Sequence, residues 1–477
     1  MTNNNFSKQV PDNVFRGYDL RGLVGSELDE ERVSILGKTY ATWLIQRRIH
    51  DCVVGFDCRT SSPIFRDIVV KSLTEAGITV YDIGMTLSQV CYFAQYYFRT
   101  RGMIMITASH NPKEYNGFKF STGFSETMLT EDIQEFKDLA KSRSFITRGQ
   151  KGQRIQKDIK EDYIIDILRH SDLIRKFKVV IDACAATAGI IIPDLLRKAG
   201  CEVVEQNTKP DGNFPVGTPD PTEREVQERL ARRVVEEKAD IGFSYDADGD
   251  RIGVVDEKGN LIWNDTLISL YAKDILTNLP GSKIVFNTLC SKQVEEVVRG
   301  AGGIPIIWKT GHSFIKAKVR EERAPFGGEL SGHFYFVDNF YGHDDGAIAS
   351  LRLLSFLTKE NKSLSQAIAK LPVYYSSPEI KVGCADNIKF QLVNDKIGID
   401  IKKMYPNASF VEIDGVRMDT DNEMLIVRAS QNGPYLTVKF EGRDENGYNK
   451  LKNQVNEILH KYSEIDFKSG VNTKALD

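Results

Sequence analysis

Four short stretches of this chain carry residues whose types and spacing could do chemistry. In ITASHNPKEYNGFKF (106–120), an apolar run delivers Ser109 to a polar loop, which Pro112 and the Asn116–Gly117 turn close and send back toward Lys119. The run before it, GMIMI, lacks alternation and predicts a strand buried on both faces. In an open α/β sheet, ligands bind beyond the carboxyl end of such a strand, so Ser109 is placed where an exposed nucleophile would stand. The same serine could equally cap a turn, and this segment alone does not separate the two readings. His110 is expected to point away from Ser109, because neighbours on an extended loop face different directions.

In DADGDR (246–251), Asp246, Asp248 and Asp250 fall at alternate positions. On an extended loop this puts three carboxylates on one side, an oxygen-rich site for a hard divalent cation. Apolar strand sequence on both flanks, ADIGFSY and IGVVD, places the acids at a sheet end rather than in a solvated turn. The spacing also resembles a calcium loop with Glu257 at its last position, but that loop needs glycine where this chain has Arg251, and helices where it has strands. A magnesium site would leave room for phosphate oxygens, and a serine that carries or attacks a phosphoryl group would complete it.

GGELSGH (327–333) offers Glu329 and Ser331 as acceptor and donor for vicinal hydroxyls, although a capped glycine turn would read the same way. Just before it, WKTGHSFIK (308–316) places His312 and Lys316 on a basic loop. In VRASQNGPYLTVKFEG, Arg428, Ser430, Asn432 and the amides around Gly433 could cradle a phosphate; the alternative is a hairpin with an exposed arginine.

The elements that must position these groups repeat. A strand, a small-residue loop, an amphipathic helix ending at glycine and a second strand recur from Val53, from Val179 and from Ile284. In the first copy Ser62 reads as the N-cap, Pro63 as the first helical turn, Ile64, Ile68, Leu73 and Ala76 as the apolar face, and Gly77 as the stop. Each copy is a parallel crossover, which predicts three consecutive similar α/β mixed-sheet domains. The tail differs: the strands SFVEIDGVRMDT, EMLIVRAS and YLTVKFEG and a closing helix predict an α+β domain. The expected divisions are 1–155, 156–255, 256–372 and 373–477.

A length of 477 residues with 41% apolar content supports several cores. Seven scattered cysteines without C-x-x-C spacing read as reduced thiols of a cytoplasmic protein. A net charge of −3 with interspersed signs gives no nucleic-acid footprint, and neither a leader nor a membrane span is expected.

Taken in order, FRGYDLRG (15–22), TASHNP (107–112), YNGFKF (115–120), PDGNFPVGTPDP (210–221), DADGDR, WKTGHSFIK, GGELSGH and VRASQNGP closely resemble the α-D-phosphohexomutase superfamily, and most nearly its bifunctional phosphomannomutase/phosphoglucomutase branch. The resemblance implies four domains around a central cleft. It implies that Ser109 is a phosphoserine, that Asp246, Asp248 and Asp250 bind one Mg²⁺ together with a phosphoserine oxygen, and that Lys119 and Arg21 act in acid/base and charge-stabilising roles. His110 and Asn111 would support the serine loop, and His333 would lie near the reacting hydroxyl. Glu329 and Ser331 would hold sugar hydroxyls, Arg428 and Ser430 the non-reacting phosphate, and Tyr18, Arg251, His312 and Asn432 would complete the substrate contacts.

The implied reaction interconverts hexose 1- and 6-phosphates of glucose or mannose through a bound hexose 1,6-bisphosphate, in a monomer or weak dimer. Three places depart from the family pattern. Gln431, Asn432 and Gly433 replace its Asn-Thr phosphate contacts, Leu289 stands where bifunctional relatives often carry lysine, and GMTLSQV lacks the usual Thr-Pro pair. An amino-sugar mutase, a non-catalytic sugar-bisphosphate sensor with this fold and a calcium-binding structural protein are the competing readings.

Overall fold

The computed structural model describes residues 6–171, 175–431 and 433–476. The chain divides into two compact units, one of residues 1–264 and 331–369, the other of residues 265–330 and 370–477.

The first unit opens with a mixed sheet of β1 (Leu20–Leu23), β2 (Asp51–Phe56), β3 (Thr79–Met85), β4 (Gly102–Ile106), β5 (Tyr115–Gly123), β6 (Glu126–Thr127) and β7 (Arg154–Gln156). Its order is β1-β5-β4-β2-β3-β7, with β6 on β5. β2 runs parallel to both β3 and β4, whereas β5 turns back antiparallel to β4 and β1. GMIMI is β4, and all five residues are buried between two neighbouring strands, as its unbroken apolar run predicts.

The crossover helix, Ser62–Glu75, departs from expectation in two details. Ser61 stands at the N-cap, and the Ser62 hydroxyl inside the helix donates to Asp57 Oδ1 at 2.6 Å. The apolar face agrees with expectation at Leu73 and Ala76, which are buried, but its first half is carried by Phe65 and Val69, while Ile64 is 52% exposed and Ile68 is half-buried. Positions 65, 69, 73 and 76 recur at helical spacing and so share one face. Gly77, at φ +95°, ends it as read.

The second sheet follows with β8 (Lys178–Asp182), β9 (Glu202–Gln206), β10 (Ile241–Tyr245), β11 (Ile252–Asp256) and β12 (Leu261–Ile262), in the order β12-β11-β10-β8-β9. β8 is parallel to β9 and β10, while β10 and β11 form an antiparallel pair whose register ends at Tyr245↔Ile252. DADGDR is therefore the tight connection of a hairpin rather than an extended loop, with Gly249 at φ +75° making the turn.

In the second unit, β13 (Lys283–Asn287) lies between β14 (Ile304–Trp308) and β15 (Phe326–Gly328), both parallel to it. The chain then re-enters the first unit with β16 (Phe334–Phe336) and the helix Gly346–Glu360, which Asp345 caps by accepting the Ala347 and Ile348 amides.

The second unit ends in an antiparallel sheet of β17 (Tyr375–Ser376), β18 (Ile380–Gly383), β19 (Ser409–Val411), β20 (Val416–Asp419), β21 (Glu423–Ala429), β22 (Tyr435–Gly442) and β23 (Asp466–Val471). Its order is β19-β20-β21-β22-β18-β23. SFVEIDGVRMDT, read as one strand, is the hairpin β19–β20, since Asp414–Gly415 turns the chain with Gly415 at φ +83°. His312 and Lys316 do not lie on a loop either; they begin the helix His312–Glu321 and are buried. All seven cysteines are free and buried. No helix among the described residues is long and apolar enough to cross a membrane.

Candidate active site

In the first unit the serine loop and the aspartate hairpin meet. Ser109 follows β4 with φ +49°, a left-handed conformation that bends the loop sharply, and its amide donates to Thr107 Oγ1 at 2.8 Å. Two expectations are corrected here. Ser109 is 1% exposed rather than open to solvent, and its Oγ lies 3.3 Å from His110 Nδ1. The bend brings adjacent side chains together where an extended loop would have separated them. Ser109 Oγ also donates to Asp246 Oδ2 at 2.6 Å.

Oxygens of Asp246, Asp248 and Asp250 lie within 4.8 Å of one another, and all three residues are buried. The Lys119 ammonium donates to Asp248 Oδ2 at 2.7 Å and to Asp250 Oδ2 at 2.5 Å, and Ser88 Oγ donates to Asp248 Oδ2 at 2.6 Å. Burial alone would drive the Lys119 proton off. The two carboxylates outweigh it and hold the ammonium well above the ordinary lysine range. Burial and the neighbouring Asp248 and Asp250 push Asp246 well above the usual carboxylate range. Burial also works against the Asp248 charge, but Lys119 prevails and lowers it.

Asp248 Oδ1 and Asp250 Oδ1 have no hydrogen-bond partner among the described residues. Buried carboxylate oxygens left open beside a third carboxylate suit a hard divalent cation, whose ligands are oxygens of this kind.

Three further groups of the first unit adjoin this cluster. Arg21 forms a forked pair with Asp19 Oδ2 at 2.9 and 2.8 Å, and its Nη1 donates to Asn111 Oδ1 at 2.8 Å. Tyr18 is buried within electrostatic reach of Arg21 and Arg251. Arg251 Nε donates to His333 Nε2 at 2.9 Å, which assigns the ring proton to Nδ1, 2.9 Å from Asp344 Oδ2 and 3.7 Å from Asp250 Oδ1. One ligand-type atom each of Asp250, His333 and Asp344 lies within 4.8 Å of the others, and all three residues are buried. Ser331 is half-buried in the same unit.

The remaining groups lie in the second unit. Glu329 Oε1 accepts the Gly311 amide at 2.7 Å, and the Leu330 amide donates to Asn287 Oδ1 at 3.1 Å at the end of β13. Arg428 is 5% exposed, not the exposed hairpin arginine of the alternative reading; its Nε donates to Asp414 Oδ2 at 2.8 Å. Asp414 Oδ2 also accepts the Thr310 amide at 2.9 Å. Beside them lies a cavity of about 190 Å³ lined by Lys309, Thr310, Phe314, Phe390, Asp414 and Gln431.

The Ser430 amide donates to the Tyr435 carbonyl at 3.0 Å, and the Gly433 carbonyl accepts from Lys389 at 2.9 Å. Asn432 lies outside the described residues. A larger cavity of about 890 Å³ in this unit, lined by Lys292, Arg299 and Tyr405 among others, contains none of the residues singled out from the sequence.

Three α/β/α domain models of phosphoglucomutase/phosphomannomutase match the chain, domain I over residues 12–147, domain II over 157–259 and domain III over 263–375. The chain belongs to the phosphoglucomutase/phosphomannomutase family. It is 34% identical to a phosphomannomutase/phosphoglucomutase of Pseudomonas putida over 93% of this chain and 94% of that protein. It is 32% identical to a phosphoglucomutase of Neisseria gonorrhoeae over 94% and 96%. A family protein of Burkholderia thailandensis, known from its crystal structure, superposes with a TM-score of 0.87 at 32% identity, covering 95% of this chain and 98% of that one.

Within this family member, the sequence reading missed three residues that touch the cluster or its loop. Ser88 holds Asp248, Asp344 faces His333, and Arg59 donates to backbone carbonyls of the serine loop. Ser88 lies in GMTLSQV, the segment whose family pattern is altered, and Asp344 in the acidic pair before an apolar helix. Both signals are visible in the sequence, but neither says what the side chain will meet.

Proposed function

We propose that this protein interconverts hexose 1-phosphate and hexose 6-phosphate, with glucose or mannose as the sugar, by way of a phosphoserine at Ser109. The supporting observation is the buried convergence of Ser109 Oγ on Asp246 at 2.6 Å beside the Lys119-linked Asp248 and Asp250. Asp246, Asp248 and Asp250 would hold Mg²⁺, whose charge, when bound, offsets the roughly −1.5 to −2 of a phosphoserine.

A substrate hydroxyl attacks the serine phosphorus, the bond from phosphorus to Ser109 Oγ breaks, and hexose 1,6-bisphosphate forms. After the bisphosphate turns over, its other phosphoryl group returns to Ser109. Lys119, kept protonated by two carboxylates, supplies charge and a proton for the departing serine oxygen. His333, whose Nδ1 lies 2.9 Å from Asp344 Oδ2, can receive the hydroxyl proton at Nε2 once a substrate phosphate draws Arg251 away. His110 and Arg21 steady the serine loop. Tyr18, His312, Glu329 and Ser331 take the sugar, and Arg428, Ser430 and Asn432 take the phosphate that does not react.

We read the domains as 1–155, 156–255, 256–372 and 373–477, and the protein as a cytoplasmic monomer or weak dimer without nucleic-acid or membrane partners. Glucose 1-phosphate or mannose 1-phosphate, with Mg²⁺ and a trace of hexose 1,6-bisphosphate, should yield the 6-phosphate. Intact mass should show a fraction about 80 Da heavier that Ser109→Ala loses. No product from either sugar, with Ser109→Ala indistinguishable from wild type, would sink the proposal. A parallel glucosamine phosphate assay separates the amino-sugar reading.

A further inference from the structure

The segment PDGNFP (210–215) has no task in the site described so far. It packs on the loop after β2, and through that loop it reaches the serine. The Asp211 amide donates to the Ala185 carbonyl at 2.8 Å, and Asp211 Oδ1 accepts the Asn213 amide at 2.9 Å, which ties the turn. A Cβ on Gly212 would stand 2.5 Å from the Cys58 carbonyl oxygen and 2.7 Å from the Thr60 nitrogen, so only glycine lets the two backbones lie this close. The Phe214 ring covers the Arg59 guanidinium, 4.9 Å from its centroid.

Arg59 is 1% exposed, and all five of its side-chain donors are used. Nε pairs with Asp57 Oδ2 at 3.1 Å; Nη1 donates to the carbonyls of Pro112 at 2.7 Å and Tyr115 at 3.0 Å; Nη2 donates to those of Ser109 and Asn111, both at 2.6 Å. Four carbonyls of the serine loop therefore converge on one planar cation. Asp57 is itself fixed by the Arg59 amide at 3.0 Å and the Ser62 hydroxyl at 2.6 Å. This loop carries Ser109 at φ +49°, a conformation that a residue with a Cβ keeps only where its surroundings enforce it.

We propose that Arg59 is the positioning residue of the reacting serine and that PDGNFP is its cover. Arg59 gathers the loop carbonyls so that Ser109 Oγ is set against Asp246, and the cover keeps water from competing for the guanidinium. A lysine cannot replace it, because its three donors radiate from a point rather than a planar fork. The kinetic part rests on the mutase reading; the structural part does not.

The test compares wild type with Arg59→Ala, Arg59→Lys and Phe214→Ala, each first checked for folding by circular dichroism and melting. In Arg59→Ala, kcat should fall about 100-fold with KM within about threefold, the expected cost of a reacting atom misplaced by about 1 Å. Added guanidinium should restore at least about tenfold of that loss while equal methylammonium does not, and Arg59→Lys should remain impaired. Phe214→Ala should lower kcat by several fold in the same pattern. In parallel, hydrogen exchange of amides 109–115 should accelerate in Arg59→Ala and Phe214→Ala, a readout that needs no turnover.

Wild type without mutase activity would overturn the mutase reading while leaving the exchange result to decide the role of Arg59. Active wild type with a folded Arg59→Ala of equal kcat would overturn the inference, as would rescue by methylammonium as good as by guanidinium. If Arg59→Ala does not fold, Phe214→Ala decides, and unchanged kcat and unchanged exchange in that variant refute the proposal.

Discussion

The two units hold their candidate residues by different physics. In the first, charge organises charge: Lys119 binds two aspartates, Arg21 an aspartate, Arg251 a histidine that faces another acid, and the serine a third acid of the hairpin. Nearly every member is buried, so each depends on its partner, and an unpaired remainder would be expensive. In the second unit backbone amides reach two of the acids, Gly311 donating to Glu329 and Thr310 to Asp414, and Arg428 pairs with that same Asp414. The contrast predicts that substitutions in the first unit strike turnover, whereas those in the second strike binding.

The largest effect should come from Ser109→Ala, which removes the atom that carries the phosphoryl group; kcat should fall by more than about 10⁴-fold, read by coupled mutase assay beside intact mass. Next, Asp248→Asn should lower kcat about 10²–10³-fold and weaken metal activation, because it leaves Lys119 with one carboxylate and the cation with one ligand fewer. A magnesium titration of wild type and variant checks it, and chelation of wild type should abolish turnover reversibly. In the second unit, Arg428→Ala should raise KM about 10- to 100-fold with a smaller change in kcat. A fall in kcat at constant KM would break the proposed division of labour.

The smallest effect lies away from both sites. Lys283 and Lys318 hold Glu322 down from 4.5 to about 2. Its folded pKa is depressed, so its contribution is present above about 4.5 and is lost as pH falls toward 2. Glu322 is a solvent-screened surface pair, so Glu322→Gln should lower Tm by about 1 °C or less near neutral pH, and the difference should vanish near pH 2 in thermal melts.

Much of this molecule was legible in the sequence, unevenly. GMIMI announced a doubly buried strand because burial on both faces demands an unbroken apolar run. The three crossovers were readable from strand and helix periods, and the aspartate triplet from ligand type and a sheet-end position. Errors fell where one residue's dihedral decides direction. Ser109 at φ +49° turned an exposed serine beside an averted histidine into a buried one in contact with it. Gly415 at φ +83° folded one expected strand into two, and Gly311 let the His312 loop become a helix.

By itself the sequence determined the type and order of the elements with a clear period, and the chemistry of the groups at strand ends, since these follow from local period and side-chain type. Only the tertiary structure decided which groups meet. Lys119 and Asp250 are 131 residues apart, and Arg59 lies 50 residues before the serine whose carbonyl it binds. Contacts at such separations depend on how the sheets twist and pack, which no local pattern encodes. The same packing buries the cluster, and burial gives its charges their strength.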